Sequence, residues 1–182
     1  MSILREWRVA RARRKQAAIY LEAITQPVPP ADIEWLARLA PNRDERLAER
    51  ELQFARRAVG LIVAERDALD DRTASDVAHQ LAGVVSAQTR QDAVAGRAWS
   101  ERWRAYTSAL AARGNTESPA ARLARVMLAG SGIEQPATEH LLRATQFILT
   151  VRSGANEALR TAYGSASLPE DVRPSALGVG VR

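Results

Sequence analysis

Apolar side chains recur at helical intervals along most of the chain, and no stretch alternates apolar and polar residues as a half-buried strand does. The spacing predicts an all-α protein. The first helix is expected from an N-cap at Ser2 to about Thr25, with Ile3, Trp7, Ala10, Ala17, Leu21 and Ile24 forming one covered stripe. The stretch Gln26, Pro27, Val28, Pro29, Pro30 ends it, because proline lacks an amide donor and disfavours helix in the residue before it. A short second helix over 31–40 presents Ile33, Leu36 and Leu39. Asn42 is expected to cap a third helix over 43–71, whose buried stripe reads Leu47, Glu51, Phe54, Ala58, Leu61, Ile62 and Leu69, with Glu51 at an edge.

Thr73 or Ser75 opens a fourth segment that stays compatible with helix to Arg113, where Gly114 and Asn115 stop it. Its inward positions are Val77, Leu81, Val84, Trp99, Trp103, Tyr106 and Leu110. An unbroken helix over 74–113 would span about 60 Å, against a diameter of about 40 Å for a compact domain of this length. Either the helix breaks near 86–93, a run without a large apolar side chain, or it continues and projects Trp99, Trp103 and Tyr106 onto a second chain. Ser118 and Pro119 start a fifth helix to about Ala129, and Thr138 caps a sixth to about Tyr163. The expected architecture is an elongated bundle of five to six helices over residues 1–164, followed by an irregular tail over 165–182 that carries Pro169 and Pro174.

The 182 residues contain no cysteine, which removes disulfides, thiolate nucleophiles and thiolate metal sites and makes a reducing, cytoplasmic setting the expectation. No apolar run approaches the length needed to cross a bilayer. The net charge is +5, and it is not spread evenly: Arg5, Arg8, Arg11, Arg13, Arg14 and Lys15 face only Glu6 and Glu22 within the first 26 residues. Lys15 is the only lysine. On a helical wheel Arg8, Arg11 and Lys15 fall together with Arg5 nearby, and the ridge is expected to oppose the stripe through Ile3, Trp7 and Leu21. Such a ridge can follow nucleic-acid phosphates, and it also describes the wet side of an ordinary amphipathic helix.

Asp76, Val77 and Ala78, followed by Gly83, Val84, Val85, Ser86, Gln88 and Thr89, resemble the helix-turn-helix signature of small bacterial repressors. The resemblance implies a turn around Gly83 to Ser86 and a recognition helix opening near Gln88 that enters the major groove. It departs from that pattern in a longer step from Ala78 to Gly83 and in one additional valine before Ser86.

His79 and His140 are the only histidines, and Asp67, Asp70, Asp71 and Asp76 lack the spacing of a calcium loop, so neither a metal centre nor a cofactor is expected. Phosphate-cradling loops and nucleophile elbows are missing from the sequence as well. Trp99, Trp103 and Tyr106 form a ladder along one helix face, as core or as a surface for a partner. Taken together, the sequence leads us to expect a non-enzymatic structural or adaptor component that binds other protein chains, or copies of itself, through helix faces and its tail. The alternative is a nucleic-acid-binding or regulatory protein using Arg5, Arg8, Arg11 and Lys15.

Overall fold

The structure is a computed structural model and describes residues 3–67, 71–112 and 116–164. All regular elements among these residues are helices: α1 (Ile3–Ile24), α2 (Pro30–Leu39), α3 (Glu45–Asp67), α4 (Asp71–Gln91), α5 (Ala93–Ala111), α6 (Pro119–Gly130) and α7 (Thr138–Tyr163). Seven helices replace the expected five to six because the long fourth segment is two. Asp92 leaves the helix with extended backbone, and its carboxylate accepts from the amides of Val94 (2.9 Å) and Ala95 (3.1 Å). That cap starts α5 and lets it fold back against α4. The expected cap at Ser2 and the tail over 165–182 lie outside the described residues, as do Gly114 and Asn115.

Other helix starts differ from the expected ones by one to four residues. Asp44, and not Asn42, caps α3, with Oδ1 accepting from Arg46 (2.9 Å) and Leu47 (3.1 Å). Helix α4 begins at Asp71, so Thr73 lies inside it and is buried. Thr138 is the first residue of α7 and Ala137 takes the cap position, without a side-chain hydrogen bond. Ser118 does cap α6, accepting from the amide of Ala121 at 3.2 Å. That helix ends in a Schellman turn: Ile133 donates to Leu128 and Gly132, at a φ of 82° open to glycine, donates to Ala129. The segment resembling a helix-turn-helix, 76–89, is uninterrupted helix inside α4, with Gly83 exposed on its surface. The resemblance therefore does not extend to structure.

Helix α3 is the axis and touches each of the other six. From Phe54 to Ala64 every residue but Arg56 is buried, as expected of a helix covered on all sides. The neighbours' directions follow from cross-helix hydrogen bonds. Tyr20 donates to the carbonyl of Gly60 at 2.7 Å while Arg56 reaches the carbonyls of Ala23 (3.4 Å) and Pro27 (2.8 Å), so α1 descends as α3 ascends. Gln80 donates to the carbonyl of Arg14 and Arg57 to the side chain of Gln88, both at 2.8 Å, which sets α4 antiparallel to α3 and parallel to α1. At a helix rise of about 1.5 Å per residue, this pairing brings the end of α3 level with Arg13. The first half of α1 thus runs past the end of α3, while α4 and α7 make most of its contacts. This overturns the expected covered stripe at Trp7, which is 58% exposed; from Trp7 on, the first buried side chain is Ala17, and that of Ile3 lies outside the described set.

Three arginines of this bundle serve the ends of neighbouring helices. The last carbonyls of a helix have no intrahelical donor, and three helices here obtain one from a neighbour's guanidinium. Arg56 serves the end of α1, Arg122 of α6 donates to Ala109 (2.7 Å) and Leu110 (3.3 Å) at the end of α5, and Arg102 of α5 donates to Gly130 (3.1 Å) at the end of α6. Five donors in a rigid fork suit arginine to this role.

Candidate interaction surfaces and a buried ion pair

The basic ridge of α1 stands in solvent. Arg8, Arg11 and Lys15 are exposed, and no acidic partner lies within ion-pair distance of them among the described residues; the side chain of Arg5 is outside that set. One detail of the expected geometry is corrected. Trp7 does not oppose the ridge but borders it, because residues four apart share a helix face, and the Arg11 guanidinium lies over the Trp7 ring at 5.5 Å. Val9 adds a further exposed apolar side chain on the same turns.

The aromatic ladder of α5 is largely turned inward. Tyr106 is fully buried, while Trp99 and Trp103 are half-buried against the core. The two indoles stack with centroids 6.1 Å apart, and Trp99 tilts against Phe54 of α3 at 5.6 Å. The ladder's first task is therefore to join α5 to the axis helix.

Beneath it lies a polar cluster that the sequence pattern placed incorrectly. Glu51 is not at an edge: it is 1% exposed, on the α5 and α6 side of α3. Its Oε2 accepts from Arg102 Nε at 2.6 Å, and the same guanidinium reaches on to the Gly130 carbonyl. A methyl group at Gly130 would land on Glu51 Oε2 and Arg102 Nε, so glycine there is a condition of the ion pair. Burial alone would lower the Arg102 pKa, but the hydrogen bond and charge of Glu51 outweigh it and hold the guanidinium above its usual range. Burial, and secondarily the charge of Glu51, pushes the Tyr106 phenol well above the ordinary tyrosine value. Glu51 Oε1 and the Tyr106 hydroxyl have no hydrogen-bond partner among the described residues.

Two concave regions carry charged side chains at their margins. A mainly apolar cleft of about 280 Å³ between α1, α2 and α7 is lined by Ile24, Pro29, Phe147 and Val151, with Arg56 and Asp32 at its polar margin. The Arg56 guanidinium is already committed to the α1–α2 turn, and its pKa is lowered by burial. The second, a cleft of about 600 Å³ in the α4–α5 hairpin, is lined by Arg90, Arg97 and Arg104 together with Glu101. His79 is exposed, and His140 lies 3.6 Å from Glu139. Among the described residues no group of three or more histidine, cysteine, aspartate or glutamate side chains gathers in a way that could hold a metal. No described helix is long and apolar enough to cross a membrane.

Compared with known protein families, curated proteins and solved structures, the chain matches none.

Proposed function

We propose that this chain is a non-enzymatic binding component, an adaptor or structural part of a larger assembly, that engages another protein chain through helix faces its own bundle leaves uncovered. The observation that carries the reading is the leading half of α1, where Trp7 and Val9 stand in solvent beyond the end of α3. Tryptophan buries a large area and dominates interface energetics, so an exposed one bordered by arginine is the side chain an interface uses best. Helix α7 supports the reading: Leu142, 65% exposed, and Leu149 sit two turns apart on one side of that helix. Size-exclusion chromatography with light scattering on the full chain, alone and in extract, tests it. The expected result is a particle larger than the 19.9 kDa monomer that Trp7→Gln disrupts. A monomer in both settings, indifferent to Trp7→Gln, would refute it.

A second reading is favoured by one feature, the exposed ridge of Arg8, Arg11 and Lys15, which has no acidic partner among the described residues. On it the same helix follows a nucleic-acid backbone, with affinity that falls steeply as salt rises. Binding to duplex or single-stranded DNA or RNA at about 50 mM salt, lost on neutralising the three side chains, supports this reading; absence of binding at that salt removes it.

A further inference from the structure

The chain's arginines divide by employment. Arg102 and Arg125 hold carboxylates at 2.6 and 2.7 Å, Arg38 and Arg160 pair with glutamates on their own helices, and Arg56, Arg57 and Arg122 donate to carbonyls or an amide. Arg90, Arg97 and Arg104 do none of this among the described residues, yet they line one concave space in the α4–α5 hairpin. The hairpin itself brings them together. Arg97 and Arg104 are two turns apart on one side of α5, roughly 10 Å along its axis, and the reversal at Asp92 lays Arg90 of α4 along the same cleft. Asp92 forms no ion pair with them among the described residues; its Oδ1 accepts from the first amides of α5. The floor is built to stay open: Gly96 is buried, and Ser100 points its hydroxyl back to the Gly96 carbonyl at 3.2 Å.

From this geometry we infer that the α4–α5 cleft is an anion site for a small ligand carrying two or three linked phosphates. Guanidinium forks bind phosphate oxygens in pairs. Three such forks, spread along the cleft, match an extended run of anionic oxygens better than a single phosphate. The space, about 600 Å³, is an open groove, which suits a hydrated polyanion better than an apolar ligand. Glu101 lines the cleft between Arg97 and Arg104 and works against any anion there, which gives the site a charge signature opposite in sign to that of its arginines. The site is separate from the basic ridge of α1 and does not depend on either reading of that helix.

Isothermal titration of the full chain with sodium tripolyphosphate at about 50 mM salt, where phosphate contacts are least screened, is the test. The expected result is saturable binding that weakens at least tenfold in the Arg97→Gln, Arg104→Gln double variant and tightens in Glu101→Gln. The Arg8→Gln, Arg11→Gln, Lys15→Gln variant, confined to α1, should bind as the parent does. Each substitution is at an exposed position, and thermal melting verifies that every variant is folded. A nucleoside triphosphate that binds more tightly than tripolyphosphate assigns the ligand to nucleotides; equal binding assigns it to the phosphate chain alone. Lack of saturable binding, orthophosphate binding as tightly as tripolyphosphate, a Glu101→Gln variant no tighter than the parent, or a loss no larger in the cleft variant than in the α1 variant would each overturn the inference.

Discussion

Replacing Arg102 by methionine keeps much of the side chain's apolar length while stranding the Glu51 carboxylate in the interior. Glu51 is 1% exposed and Arg102 Nε supplies its one hydrogen bond among the described residues, so the variant leaves a buried charge with neither counterion nor donor. Removing one partner of a buried pair costs about 3–5 kcal/mol. Arg102 is itself 28% exposed, which gives water a path to the stranded group and moves the expectation to the lower end, about 3 kcal/mol. The Gly130 carbonyl also loses the Arg102 donor at 3.1 Å, worth about 1 kcal/mol if water does not replace it. For a domain whose total stability is of order 5–15 kcal/mol, that is a large fraction. Urea unfolding followed by circular dichroism measures it, and the double variant Glu51→Gln, Arg102→Met closes the cycle. Neutralising the carboxylate removes the stranded charge, so the double variant should be more stable than Arg102→Met alone, with a coupling of about 1–3 kcal/mol. A single variant that loses less than about 1 kcal/mol, or strictly additive effects, would refute the description of a buried, mutually dependent pair.

Three further expectations follow from local geometry. Gly60→Ala should destabilise by about 1–3 kcal/mol, because its methyl would sit 2.8 Å from Ile24 Cγ2 where α1 crosses α3, whereas Gly83→Ala and Gly154→Ala, whose methyls meet nothing within 4 Å, should each stabilise by about 0.5–1 kcal/mol; thermal melting of the three variants reads the opposite signs. The Tyr106 phenol has its pKa raised above the unfolded value of 10.0, so its contribution to stability is complete below that pH and drains away as pH climbs towards the folded value. A urea midpoint that falls above pH 10 in the parent, and falls less in Tyr106→Phe, is the expected outcome. Asp92→Ala removes the acceptor for two amides at the start of α5 and should cost about 0.5–2 kcal/mol, measured by denaturant unfolding.

The periodicity of the sequence carried the helical class and most helix limits, because spacing, proline and capping chemistry are local. What it did not carry depends on residues far apart in the chain. Glu51 falls on the buried stripe of its helix, but the partner that makes burial tolerable is Arg102, fifty-one positions on, and no local pattern links them. Asp92 was legible as a helix-capping residue type, yet its neighbours are all helix-compatible, and only the return of α5 onto α4 distinguishes a cap from one more polar position. The exposure of Trp7 was hidden for a related reason: its spacing fits the stripe of α1, while burial depends on which distant helices reach that end of it. The α4–α5 cleft exists only because of that hairpin, and no local pattern links Arg90 to Arg97 and Arg104.

The uncovered face of α1 offers its own reporter, since Lys15 is the only lysine and its side chain is exposed there. Apart from a free N-terminus, an amine-selective cross-linker applied to the chain at native abundance in its own cell therefore reads this face alone. The binding-component account predicts that peptides carrying Lys15 are joined to a second polypeptide, and that Trp7→Gln lowers their yield. Lys15 recovered only with unattached linker, in parent and variant alike, would contradict it.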